Sequence, residues 1–237
     1  MVSKPTHVPA QAERKIKAEA KAKVLVVDDH PVVRQGMAQL ISHEPDLTVC
    51  GEAGSVPEAL KAIAACHPDV AVVDLSLKGA SGLELLKDIK VRYPRLPVLV
   101  LSMADENVFA ERALRAGARG YMMKEEAAEK VLEAIRCVMA GRIYLSDAMA
   151  SRLLHQFVDG KSEAGASPVD CLSDRELEVF QLIGRGLGTG EIARQLHLSP
   201  KTIETYRAHI KNKMNLESAT ELLQHAIQYV QSMRGGT

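Results

Sequence analysis

The stretch DVAVVDLSLKGASGLELL, residues 69–86, decides the fold of this chain because it joins a buried strand to a carboxylate. Residues 70–73 are apolar and mostly β-branched, as in strands that are covered on both faces of a parallel sheet. Asp74 follows directly, and Gly79 and Gly82 separate it from an amphipathic helix. An ionisable group at the end of such a strand indicates a chemical role rather than a packing role.

The pattern of residues 69–86 recurs along the first 140 residues. Five segments have the apolar character of strands: 24–27, 47–53, 70–73, 98–101 and 118–123. Five segments between and after them have helical periodicity: 31–43, 56–66, 82–92, 105–116 and 125–140. Because strands and helices alternate, we predict right-handed crossovers and a doubly wound α/β domain with a five-stranded parallel sheet.

The composition is that of a soluble globular protein with mostly aliphatic cores, since 3% of the residues are aromatic and Trp is absent. The 30 basic and 30 acidic residues cancel, so net charge alone favours neither nucleic acid nor membrane as a partner. No apolar run approaches the ~20 residues of a membrane span. The four cysteines show no metal-ligand spacing, which predicts buried reduced thiols and a cytoplasmic protein.

The chain divides into five parts by pattern and composition. They are a basic tail without packing pattern at 1–22, the α/β domain at 23–143, a linker with a short helix at 144–171, a helical domain at 172–232 and a short tail at 233–237. In the helical domain, Ser173 and Glu176 form a capping-box pattern, and Ser199 with Pro200 marks the start of a third helix. We predict a small all-α domain of four helices.

Polar side chains follow the strands of the predicted sheet. Asp28 and Asp29 follow the first strand, Asp74 the third, Ser102 the fourth and Lys124 the fifth. The functional crevice of an open parallel sheet lies at the carboxyl ends of its strands, so these groups converge if the first, third and fourth strands are central. Each residue alone also fits an ordinary role, as a helix cap or a surface charge. As an ordered set they predict a Mg²⁺ site, or one for Mn²⁺, beside an aspartate that carries a phosphoryl group.

Residues 24–124, with VLVVDDH, VAVVDLSLKGASG, VLVLS and GYMMK, resemble the receiver domain of bacterial two-component response regulators, which has a flavodoxin-like fold. The resemblance implies that Asp74 is the phosphoacceptor and that a sensor histidine kinase supplies the phosphoryl group. It also implies metal ligands and switch residues. The ligands are Asp28, Asp29, Asp74 and the backbone carbonyl of Ser76; the switch and phosphate-binding residues are Ser102, Tyr121 and Lys124.

Residues 172–231, with LSDRELEVFQLIGRGLGTGEIARQLHLSPKTIETYRAHIKNKM, resemble the LuxR-type helix-turn-helix domain, and both parts together resemble the NarL/FixJ subfamily. The third helix carries a local excess of basic residues, as expected of a helix that enters the major groove of double-stranded DNA. The resemblance implies base contacts by Lys201, Glu204, Thr205 and Ala208, and contacts nearer to the DNA backbone by Thr202, Tyr206, Arg207 and Lys211. Ile203 and Ile210 are expected in the core.

A homodimer on an inverted repeat is expected on phosphorylation, because one recognition helix reads only a few base pairs. The fourth helix carries a broad apolar stripe, from which we predict a dimer contact formed by Leu222, Leu223, Ala226 and Ile227. The alternative is that the whole stripe, Val230 included, belongs to the core of the domain.

Three functions fit these patterns. The leading one is a transcription regulator, not an enzyme, that is switched by phosphorylation of Asp74 and slowly loses the phosphate. A metal-dependent aspartyl phosphotransferase or phosphatase is the alternative, although the D-x-D-x-[TS] pattern is absent after the first strand. A regulator that needs no phosphorylation is the third. The chain departs from many relatives at Lys78, where they have Pro, and at Gly190, where Lys is common.

Overall fold

A computed structural model describes residues 21–77, 80–126, 128–158, 169 and 171–234. The predictions for the tail at 1–20, for residues 159–168 and 170 of the linker and for the loop at Lys78 fall outside these residues. Seven strands are present in the described part: β1 Ala22–Val27, β2 Leu47–Ala53, β3 Val70–Val73, β4 Ser76–Leu77, β5 Ala80–Ser81, β6 Val98–Ser102 and β7 Gly120–Met123. Ten helices accompany them: α1 Pro31–Ser42, α2 Val56–Cys66, α3 Gly82–Arg92, α4 Glu106–Ala116, α5 Ala128–Met139, α6 Asp147–Val158, α7 Asp174–Gly184, α8 Thr189–Gln195, α9 Pro200–Lys213 and α10 Ala219–Arg234.

The five-stranded parallel sheet has the strand order β2-β1-β3-β6-β7. This order confirms the doubly wound fold and makes β1, β3 and β6 the central strands, as convergence of the acidic residues requires. Residues 24–27 of β1 pair in parallel with residues 70–73 of β3, and all eight are nearly inaccessible to solvent. The continuous apolar runs are therefore explained by burial on both faces.

The short antiparallel hairpin of β4 and β5 was not predicted from the sequence. It lies directly after Asp74 and pairs Ser76 with Ser81 and Leu77 with Ala80. Gly82 follows, and a Cβ atom added there would lie 2.2 Å from the carbonyl oxygen of Asp74. Only glycine fits this close approach of two backbone segments, which explains one of the two glycines after Asp74.

The helical domain begins with the predicted capping box, in which the Ser173 hydroxyl accepts from the Glu176 amide and the Glu176 carboxylate accepts from the Ser173 amide. Ser199 caps α9, and Pro200 occupies its first turn. Helices α8 and α9, joined by a short turn at His197, form the helix-turn-helix. Ile203 and Ile210 are fully buried, which confirms that they belong to the core.

Candidate functional site

The site begins at the carboxyl edge of the parallel sheet, where three aspartates meet. Asp28, Asp29 and Asp74 are each no more than 5% exposed. The backbone amide of Asp74 donates to the carbonyl of Val27 at 2.9 Å, which fixes the phosphoacceptor candidate next to the end of β1. Strand pairing therefore brings together residues that are about 45 positions apart in the chain, as the sequence predicted.

Lys124 neutralises part of this negative charge. Its ammonium nitrogen lies 2.5 Å from Asp28 Oδ2 and 2.6 Å from Asp74 Oδ2. Burial raises the pKa of the Asp74 carboxyl above its usual range, although the Lys124 ammonium acts in the opposite direction. Burial disfavours the charged ammonium of Lys124, but the Asp74 and Asp28 carboxylates outweigh this effect and raise its pKa. Lys124 is therefore a permanent cation that bridges two of the carboxylates.

Ser102 and Tyr121 lie beside the acidic pocket on neighbouring strands. Ser102 is fully buried, and its hydroxyl accepts a hydrogen bond from the Ala104 amide at 3.3 Å. The Tyr121 hydroxyl donates to the carbonyl of Ala104 at 2.7 Å, and its side chain is 1% exposed. Burial first, and then the charge of Asp74, raise the pKa of Tyr121 well above its ordinary value. Both residues therefore contact the loop that follows β6. The side chain of Tyr121 is in a buried position in this structure.

Asp29 differs from the other two aspartates. Neither of its carboxylate oxygens accepts a hydrogen bond of good geometry from the described residues, although both are buried and Oδ1 lies 2.7 Å from His30 Nδ1. Such groups are costly in a protein interior unless a cation is present. The four carboxylate and imidazole groups of Asp28, Asp29, Asp74 and His30 offer ligand atoms that all lie within 4.8 Å of one another. The donor set around Asp29 therefore fits a divalent cation.

The helical domain lies against this same edge of the sheet, which sequence analysis did not predict. The Ser76 hydroxyl donates to Glu178 Oε1 at 2.7 Å, and His197 Nε2 lies 3.6 Å from Asp29 Oδ2. Burial raises the pKa of Glu178, although Arg175 and Ser76 oppose the shift. No local pattern marks Glu178 or His197, because each depends on contacts between residues that are far apart in sequence.

Helix α4 provides a second set of contacts between the two domains. The Arg112 guanidinium donates to the Leu172 carbonyl at 3.1 Å, to the Val169 carbonyl at 3.2 Å and to Asp174 Oδ1 at 3.2 Å. Lys87 of α3 also contacts Asp174, at 3.1 Å. These cations hold the start of α7 against the receiver-like domain.

The predicted recognition helix α9 presents its expected face to solvent. The four residues expected at bases are exposed: Lys201, Glu204, Thr205 and Ala208. The four expected near the DNA backbone are half-buried: Thr202, Tyr206, Arg207 and Lys211. Glu204 accepts a hydrogen bond from the Thr189 hydroxyl at 2.6 Å, so α8 orients at least one of these side chains. The docked arrangement leaves this face accessible.

The apolar stripe of α10 requires a correction. Leu222 and Ala226 are fully buried inside the helical domain, so neither is available to a second copy. The reason is the close crossing of α7 and α10: a Cβ atom added at Gly184 would lie 2.3 Å from the Ala226 carbonyl oxygen. Leu223, 39% exposed, and the half-buried Ile227 remain as candidates for a dimer contact.

The fold and the acidic edge define a receiver domain joined to a helix-turn-helix domain, which is the architecture of a response regulator. Comparison with known families agrees: residues 24–136 match the response regulator receiver domain, and residues 170–226 match the bacterial regulatory proteins of the luxR family. The chain belongs to the two-component response regulators that carry a LuxR-type DNA-binding domain.

Individual relatives support this assignment. The chain is 36% identical to the oxygen regulatory protein NreC of Staphylococcus carnosus over 209 residues, which cover 86% of this chain and 96% of the relative. It is 26% identical to RcsB of Salmonella enterica serovar Typhimurium bound to promoter rprA with the phosphomimetic BeF₃⁻, with a TM-score of 0.56 and coverage of 87% and 98%. It is 25% identical to RcsB in a structure of two dimers bound to two parallel DNAs, with a TM-score of 0.53 and coverage of 90% and 99%.

No helix in the described part of the chain is long and apolar enough to cross a membrane. The aspartate cluster is suited to a cation, as receiver domains use at their acidic pocket.

Proposed function

We propose that Asp74 accepts a phosphoryl group from a sensor histidine kinase and that the phosphorylated chain binds DNA as a homodimer on an inverted repeat to regulate transcription. The observation that carries the proposal is the contact of Lys124 with Asp74 and Asp28. Because this cation contacts Asp74 Oδ2, it would lie within reach of the oxygens of a phosphoryl group on Asp74 and would stabilise the product of transfer. In the transfer, an Asp74 carboxylate oxygen forms a bond to phosphorus, and the bond from phosphorus to the donor breaks.

The residues that would hold Mg²⁺, or Mn²⁺, are Asp28, Asp29, Asp74 and the backbone carbonyl of Ser76. The buried oxygens of Asp29, which accept no hydrogen bond of good geometry from the described residues, support this assignment. When bound, the ion would offset the repulsion between the aspartates and the incoming phosphoryl group. The chain's own residues orient the acceptor: the Ser76 amide donates to Asp74 Oδ1 at 3.2 Å, and Lys124 contacts Oδ2.

Phosphorylation would act on the contact between the domains. A phosphoryl group on Asp74 adds negative charge near Glu178, whose carboxylate is held against Ser76. It would also draw the Ser102 hydroxyl toward its oxygens, and Ser102 and Tyr121 both contact Ala104 in the loop that leads to α4. Since Arg112 of α4 holds the start of α7, we infer that the phosphorylated form releases the helical domain.

On DNA, the exposed face of α9 would enter the major groove. Lys201, Glu204, Thr205 and Ala208 would face bases, while the half-buried Thr202, Tyr206, Arg207 and Lys211 would lie near phosphates. Leu223 and Ile227 of α10 would contribute to the dimer. The two RcsB structures named above contain DNA, and they support DNA binding by the helical domain as a whole.

The test is incubation of the full chain with acetyl phosphate, followed by intact-mass spectrometry. We expect one added phosphate in the wild type with Mg²⁺, none with excess chelator and none in Asp74→Asn. Asp88→Asn, which changes a carboxylate on the surface of α3, is the matched control and should be labelled like the wild type.

Two results would contradict the proposal. Equal labelling in chelator would remove the metal from the reaction, and labelling of Asp74→Asn would place the acceptor elsewhere. Repeated turnover of a generic phosphate ester would favour the phosphatase reading instead.

A further inference from the structure

A second group of side chains that could bind a metal ion lies where the two domains meet, and it shares Asp29 and His30 with the acidic pocket. Asp29 and His30 come from the receiver domain, and His197 comes from the turn between α8 and α9. One ligand atom from each lies within 4.8 Å of the other two. His30 Nδ1 lies 2.7 Å from Asp29 Oδ1, and His197 Nε2 lies 3.6 Å from Asp29 Oδ2.

We propose that Asp29, His30 and His197 bind one Zn²⁺ ion that joins the two domains and competes with Mg²⁺ for Asp29. Two imidazoles and one carboxylate form a known type of zinc ligand set that leaves a fourth position open. A tetrahedron with bonds of roughly 2 Å has edges of about 3.3 Å, which lies between the two distances above.

The buried carboxylate of Asp29 is the independent observation that points to a ligand. Its side chain is 1% exposed, and neither of its oxygens accepts a hydrogen bond of good geometry in the described structure. The close contacts of these oxygens are to the two imidazoles themselves, at 2.7 Å from His30 Nδ1 and 3.6 Å from His197 Nε2. The side chains of His30 and His197 are much more exposed than Asp29, at 47% and 38%, and their ring centroids are 5.3 Å apart. A cation that enters from solvent would therefore meet both imidazoles and the carboxylate together.

The backbone position of His197 is set by the helix-turn-helix. His197 has a φ of 52°, in the left-handed region, and it lies inside the turn that leads to α9. Its side chain belongs to the helical domain and therefore reaches Asp29 only when the domains are docked. Zn²⁺ would bind the docked form and hold Asp29 away from Mg²⁺, which opposes phosphorylation. Formation of the zinc site requires that the two domains be docked, and it does not require that Asp74 be phosphorylated.

The test is calorimetric titration of the full chain with ZnCl₂, without Mg²⁺. We expect one Zn²⁺ per chain in the wild type and affinity that is weaker by about tenfold or more in His197→Asn and in His30→Ala, since loss of even an outer partner of a metal site costs about 10–100-fold. Asparagine is chosen because it tolerates positive φ. His67→Asn is the matched control, because His67 is exposed and has a φ of 49°.

A second measurement separates this site from the aspartates alone. Zn²⁺ should slow labelling of the wild type by acetyl phosphate and Mg²⁺, and this inhibition should be weaker by a similar factor in His197→Asn. Equal zinc affinity in wild type and His197→Asn would overturn the proposal, because the ion would then sit in the aspartate pocket without the helical domain. Absence of zinc binding would overturn it as well, whatever the result of the phosphorylation test.

Discussion

The acidic pocket and the exposed face of α9 are both functional regions, but they are built in opposite ways. In the pocket, Asp74 is buried, Lys124 contacts two carboxylates, and Gly82 lies against the Asp74 backbone. On α9, Lys201 and Thr205 are exposed. The pocket is organised by contacts within the protein, whereas the exposed face of α9 makes few such contacts, of which the hydrogen bond from Thr189 to Glu204 is one. Substitutions should therefore affect folding in the pocket and binding on the helix.

The largest effect on folding is expected for Gly82→Ala. The added Cβ would lie 2.2 Å from the Asp74 carbonyl oxygen and 2.7 Å from Leu75 Cα, so backbone must move. We expect the free energy of unfolding of the receiver domain to fall by about 3 kcal/mol. Urea denaturation followed by circular dichroism measures it.

Gly190→Ala is the control for Gly82→Ala. Gly190 lies in α8, and no atom lies within 4 Å of a Cβ added there. Alanine at this position should therefore stabilise the helix by up to about 1 kcal/mol. A wild-type denaturation midpoint for Gly82→Ala would show that the pocket is less rigid than the structure indicates.

A smaller effect, and one on binding alone, is expected on α9. Lys201→Ala and Thr205→Ala should weaken binding to the specific site by ~1–3 kcal/mol and leave binding to random DNA almost unchanged. Lys211→Ala should weaken binding to every DNA sequence. It should also reduce the slope of the logarithm of the binding constant against the logarithm of the salt concentration by about one counterion. Fluorescence anisotropy at several salt concentrations measures both. If all three variants weakened specific and random DNA equally, the division of this helix into base-facing and phosphate-facing sides would be wrong.

The smallest effect is expected where the two regions are joined. Arg112→Ala removes three hydrogen bonds, one to the end of the linker and two to the start of the helical domain, without touching the pocket. If docking limits access to Asp74, weaker docking by about 1 kcal/mol should raise the rate of labelling by acetyl phosphate about fivefold. Arg115→Ala, one turn along at a guanidinium that is 75% exposed, is the control and should leave the rate unchanged. An unchanged rate in Arg112→Ala would mean that the docked domain does not restrict the pocket.

The sequence predicted the elements of both domains with small errors at their ends. The strand at 70–73 has the observed bounds, while the helix predicted at 125–140 is observed at Ala128–Met139. Apolar runs and caps such as Ser173 with Glu176 act between neighbouring residues, so they can be read directly from the chain. The hairpin of β4 and β5 escaped prediction because two-residue strands are too short to show alternation.

Local patterns were thus sufficient for the strands, the capped helices and the aspartates at the strand ends, because each depends on residues a few positions apart. They were not sufficient for α10, where close packing at Gly184 buries Leu222 and Ala226 and leaves Leu223 exposed. Nor did they place Glu178 beside Ser76 or His197 beside Asp29. Those contacts join residues more than 100 positions apart, and each is a single polar contact with no periodicity that could mark it in the chain. Only the packing of one folded domain against the other brings them together.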